Sequence, residues 1–126
     1  MWQYYNPNPM ENLRSGDCVI RAISKLTGKN WHTVYTELSV YGYALGDWGN
    51  SNAVWDAYLR DHGYKRAIVP NSCPNCFTVM DFCEEFATGE YLLGTGRHAV
   101  TVSNGNYYDS WDSGREMPIY YYYKEG

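Results

Sequence analysis

The sequence predicts an α+β domain, with helices gathered towards its front and strands towards its back. Three observations carry this. Up to about residue 86, apolar side chains recur at i, i+3, i+4 and i+7, the spacing of one helical face. Beyond Gly89 the chain turns to short runs rich in Val, Thr and Tyr, bounded by Gly and Asn, as in an antiparallel meander. Helices first and strands after, within 126 residues, predict one domain over residues 1–126 rather than an alternating parallel sheet.

Residues 1–14 hold two Asn-Pro steps and no periodicity, so they read as an extended arm or loop. A first helix follows, with Val19, Ala22, Ile23 and Leu26 on one face, Asp17 as N-cap, and Thr27-Gly28 as the stop. Asn30 caps a second helix from Trp31 to Leu38, and the Gly- and aromatic-rich stretch Tyr41 to Asn50 reads as a loop. Ser51 or Asn52 starts a third helix with Val54, Trp55, Tyr58 and Leu59 inward, and Gly63 ends it. Tyr64 to Val69 is a short strand, Pro70 to Asn75 a loop, and Thr78 caps a fourth helix with Val79, Phe82, Cys83 and Phe86 on one face. Strands are expected at Glu90–Leu93, His98–Val102, Asn106–Ser110 and Ile119–Tyr123, with a hairpin at Asn104-Gly105. The Tyr120–Tyr123 run reads as an edge or terminal strand with alternate rings inward.

Composition narrows the function. A net charge of −4 without a basic cluster argues against nucleic acid. No run approaches the ~20 apolar residues that span a membrane, and the start lacks the order of a signal peptide. The expectation is a cytoplasmic chain whose four cysteines are more often reduced than bridged. One Cys73-Pro-Asn-Cys76 without a second pair is a weak zinc signal, so no metal or cofactor is expected. His32 and His62 read as ordinary surface or helix-end residues. Fourteen tyrosines and five tryptophans suit a small core and a groove for extended peptide.

Chemistry concentrates on Cys18. In the first turn of a helix, a thiol meets unpaired backbone N–H groups and the positive dipole end, which favour the thiolate. The plain alternative is a small buried hydrophobe. Eighty residues on, His98 opens one hairpin strand and Asp109 ends its partner, so the turn brings imidazole and carboxylate side by side. Cys18 as nucleophile, His98 as proton carrier and Asp109 as orienting carboxylate form a Cys–His–Asp arrangement. The backbone N–H of Cys18 would help bind the oxyanion. Asp112 competes with Asp109, but strand alternation puts Asp109 on the face of Tyr107 and Trp111.

His98-Ala99-Val100 followed by Asp109-Ser110-Trp111 resembles the His-Ala-Val and Asn-Ser-Trp segments of papain-like cysteine peptidases, with the same Cys, His, Asn/Asp chain order. The resemblance implies a papain-like fold, with N-terminal helices, one carrying the cysteine, packed on a C-terminal antiparallel sheet. It assigns Cys18, His98 and Asp109 to the triad and makes Trp111 a shield over the His–Asp contact. Gly16-Asp17-Cys18-Val19-Ile20-Arg21-Ala22 is similar to the cysteine box of ovarian-tumour-type deubiquitinases, with Ser15 in place of that family's aspartate. The chain also looks like small proteins of phage and bacterial genomes, which would place it in a host cytoplasm if phage-encoded. Papain-like enzymes supply a glutamine to the oxyanion hole six residues before the cysteine; the matching residue is Asn12, with Asn8, Asn6 and Gln3 as rivals.

The expected function is a cysteine hydrolase acting on a peptide or isopeptide bond of a protein or peptide substrate. The rival from another class is a non-catalytic protein-binding module on the same scaffold, such as an inhibitor of a host defence protein.

Overall fold

A computed structural model describes residues 1–12, 16–70 and 74–124. In chain order the elements are β1 (Trp2–Tyr4), α1 (Cys18–Thr27), α2 (Trp31–Leu45), α3 (Asn52–Asp61), β2 (Tyr64–Ile68), α4 (Val79–Glu85), β3 (Glu90–Gly94), β4 (Ala99–Ser103), β5 (Asn106–Asp109) and β6 (Tyr120–Lys124). The six strands form one mixed sheet in the order β1-β5-β4-β3-β6-β2. This is the α+β class expected, with a sheet that departs from a simple meander.

The departures lie at the chain's two ends. The N-terminal arm is not wholly irregular: β1 pairs in parallel with β5, Tyr4 opposite Asp109. The terminal tyrosine run is not an edge strand. Strand β6 lies inside the sheet, antiparallel to both β3 and β2. Its period-2 alternation then serves two faces, with Tyr120 and Tyr122 turned to one apolar cluster and Tyr121 to the other.

The sheet is covered on both sides. Helices α1, α2 and α3 bury Ile23, Val34, Leu38, Trp55 and Tyr58 against Leu92, Ala99 and Tyr122. Helix α4 buries Val79 and Phe82 against Leu93, Val100 and Tyr107 on the opposite face. Adjacent Leu92 and Leu93, both fully buried, point to opposite layers, as consecutive strand residues must.

Local chemistry sets the boundaries. Asn30 accepts from the Thr33 backbone N–H at 2.8 Å, and Thr78 with Asp81 forms a reciprocal capping box. Asn104 and Gly105 both have positive φ, 48° and 79°, as the tight hairpin turn between β4 and β5 requires. Helix α2 outruns its expected end at Leu38 and continues to Leu45. Gly42, which reads as a breaker, serves a close approach instead: a Cβ there would lie 2.6 Å from the Asp47 carbonyl oxygen. The chain after α2 folds back over that glycine.

Candidate functional site

The site forms where the start of α1 meets the adjoining ends of β4 and β5. Cys18 is the first residue of α1 and is half-buried. Helix α1 is held against β4 by Thr101, whose hydroxyl donates to the Ala22 carbonyl at 2.6 Å. His98 leads into β4 from a four-residue turn. In it the Thr95 N–H donates to the His98 carbonyl at 2.9 Å, and the His98 N–H donates to Thr95 Oγ1 at 3.2 Å. Asp109 closes β5 and is 2% exposed. Its main-chain oxygen accepts from the Tyr5 N–H at 2.8 Å and from Trp2 Nε1 at 3.0 Å, so β1 steadies it from behind.

The structure brings the three expected residues together. His98 Nε2 lies 2.5 Å from Asp109 Oδ2, and Cys18 and His98 line the same cleft. With Nε2 given to the carboxylate, Nδ1 is the nitrogen left for the sulfur. Asp109 is further fixed by Ser113 Oγ at 2.7 Å and the Ser110 N–H at 2.8 Å. Trp111 stands over the imidazole with ring centroids 4.9 Å apart. Asp112, the competing carboxylate, instead accepts from the Tyr107 hydroxyl and from the Gly114 N–H.

Electrostatics favour an ion pair. Burial works to raise the Cys18 thiol pKa, but the His98 hydrogen bond and charge, the Ala99 backbone N–H and the Arg21 charge outweigh it, so the pKa is lowered. For His98, burial works to lower the pKa, while the hydrogen bonds and charges of Asp109 and Cys18 carry it up to about 9. Both shifts favour the charged forms, thiolate for Cys18 and imidazolium for His98.

Asp17 sits at the N-cap position but makes no side-chain cap bond. Its carboxylate is buried and accepts from Arg21, from Trp31 Nε1 at 2.8 Å and from Asn8 Nδ2 at 3.2 Å. That explains the departure: a guanidinium one turn on outcompetes a backbone N–H for a buried carboxylate.

The oxyanion candidates fall on the neighbouring side. Asn8 is buried and tied by its amide to Asp17; its own Oδ1 accepts from the Met10 N–H at 2.9 Å. Asn12 is exposed, and both line a cavity of about 700 Å³ walled by Trp31, Tyr35, Tyr43 and Trp48. The cleft of about 140 Å³ that contains Cys18 and His98 is lined by Asn50 and Asn52 instead, and shares Gly16 and Asn50 with the larger cavity. Asn52 Oδ1 accepts from Trp55 Nε1 at 3.1 Å.

Sequence reasoning read Tyr41 to Asn50 only as a loop and Asn52 only as a possible helix start, and so did not bring Asn50 and Asn52 to the cleft. It also missed Ser113 and Arg21. For Arg21 a signal existed: a basic residue four positions after an aspartate, inside an otherwise apolar stripe.

The remaining cysteines and histidines lie elsewhere. Cys76 is disulfide-bonded, against the expectation of reduced thiols, and Cys73 lies outside the described residues. Cys83 is a buried free thiol, pushed up by burial. His62 Nδ1 is 2.7 Å from the Tyr58 carbonyl, and His32 packs edge-on to Trp31. Among the described residues, no helix is long and apolar enough to cross a membrane. Comparisons with protein-family models, with curated proteins and with solved structures return no match.

Proposed function

We propose that the chain is a papain-like thiol hydrolase that cleaves a peptide or isopeptide bond of a protein substrate. The observation that carries the reading is the meeting of Cys18, His98 and Asp109, with His98 Nε2 on the carboxylate and the thiol and the ring lining one cleft. In the proposed reaction the Cys18 thiolate attacks the carbonyl carbon, and the oxyanion that develops is met by the Cys18 backbone N–H. The first N–H groups of a helix lack intrahelical partners and suit that role. An amide N–H of Asn50 or Asn52 is a second donor at the same cleft. The tetrahedral intermediate collapses, the C–N bond breaks, and His98 gives its proton to the leaving amine, leaving a thioester. Water then attacks the thioester with His98 taking its proton, and the carboxylic acid product leaves as the thiolate reforms. Asp109 holds the ring and offsets the imidazolium charge throughout.

Substrate reaches this centre along the larger cavity. Its aromatic walls include Trp48 and Tyr43, 81% and 91% exposed, an arrangement suited to covering an extended peptide.

The test is labelling of the whole chain by a peptide vinyl sulfone at neutral pH. One adduct is expected, on Cys18, lost in Cys18→Ala and suppressed in His98→Ala. Labelling that persists in Cys18→Ala would sink the reading. Any biological effect of the chain should likewise vanish in Cys18→Ser; an effect that survives points to the binding module.

A further inference from the structure

We propose that Arg21 is a positioning residue of this site: a buried guanidinium that joins the helix of the nucleophile to the carboxylate that orients the imidazole. The inference rests on the thiol-hydrolase reading above. Arg21 lies one turn after Cys18 on α1 and is 8% exposed. Nη1 bonds Asp17 Oδ1, and Nη2 lies 3.5 Å from Asp109 Oδ1, while the other Asp109 oxygen holds His98. One cation thus touches both the residue before the nucleophile and the residue behind the imidazole.

Two features argue that this serves the site rather than the fold. Buried ion networks of this kind are weak sources of stability, and apolar side chains of similar volume often replace them at no loss. The contact with Asp109 is also long for a hydrogen bond, and the buried Arg21 Nε has no hydrogen-bond partner among the described residues. The guanidinium therefore acts on Asp109 chiefly as a charge.

The groups that face it fix the sign. They are Asp17 from the segment before α1, Asp109 from β5, His98 from the turn before β4, and Cys18 beside it on α1. Helix α2 adds the neutral Trp31 N–H, on Asp17. A fixed positive charge among them stabilises the thiolate and keeps Asp109 from gripping the imidazolium proton too tightly. That proton is then available to a leaving group. Arg21 lowers both the thiol and the imidazole pKa, shifting the ion-pair window as a block.

The rate of Cys18 alkylation by iodoacetamide, followed against pH on the folded full chain, reads this without any substrate. The native profile should show two inflections, one as the thiolate forms beside imidazolium and one as the imidazolium loses its proton. In Arg21→Gln both inflections should move to higher pH by about one unit, an approximately tenfold lower rate on the acid limb. Arg21→Lys, which keeps the charge, should restore most of that. In Asp17→Asn, which removes a facing anion and leaves Arg21 in place, both should move to lower pH; this variant decides the matter if Arg21→Gln does not fold. A purely structural role predicts otherwise: a loosened triad brings the two inflections together, towards ordinary thiol and imidazole values. Convergent or unmoved inflections overturn the assignment of Arg21. A native profile with one inflection at an ordinary thiol value instead overturns the ion pair, and with it the hydrolase reading.

Discussion

Replacing Asp109 with asparagine removes the charge that keeps His98 protonated, while keeping the side chain's size and one acceptor oxygen. In the native site that imidazole titrates at about 9 instead of 6.5, and burial alone would move it the other way. The difference of about 2.5 units corresponds to about 3 kcal/mol of preference for the imidazolium, most of it owed to the carboxylate. Without it His98 should titrate at or below 6.5. At pH 7 its protonated fraction then falls from about 99% to about a quarter or less. The thiol depends on that imidazolium for its own lowering, so burial prevails and the thiolate population at pH 7 falls. A more basic thiolate is intrinsically the better nucleophile, which recovers part of the loss but still leaves a slower alkylation at pH 7. The assay is the second-order rate of Cys18 carbamidomethylation between pH 5 and 10, scored by intact mass. An Asp109→Asn profile that keeps the native plateau between two inflections would refute the reasoning, since the carboxylate would then not be what holds the ring charged.

Trp111→Ala removes the ring tilted against His98 but only a half-exposed side chain, so thermal stability should change by less than about 1 kcal/mol. Water then reaches the His98–Asp109 contact, and the upper inflection of the same alkylation profile should move down. Gly94→Ala is the structural counterpart. A Cβ there would fall 2.2 Å from the Tyr120 ring, across the β3–β6 pairing, so the variant should lose about 2 kcal/mol or more in urea unfolding.

How far the sequence carried the structure depended on the range of the signal. Where a local pattern decided the outcome, it was legible. The Asn30 and Thr78 caps, the Asn104-Gly105 turn and the inward faces of α1, α3 and α4 follow from neighbours within a few residues. The approach of His98 to Asp109 was legible for the same reason, since a short hairpin brings the far ends of its two strands near one another. What stayed hidden was long-range. Nothing within the Tyr120–Tyr123 run distinguishes a strand with one neighbour from a strand with two. Gly42 looks like a helix terminator until the segment that crosses it is in place. Asp17 has the identity of a cap, and only the burial of Arg21 beside it reassigns its carboxylate.

Because β6 separates β2 from β3, the sheet is stitched shut by the stretch from Tyr120 to Lys124. A chain emerging from synthesis can stack its first three helices early, yet it has no continuous platform to lay them on until those tyrosines arrive. Contacts between segments so remote along the chain form slowly. An unfinished chain that lacks them leaves β2 and β3 unjoined, so the face that receives the first three helices is completed only by the last strand.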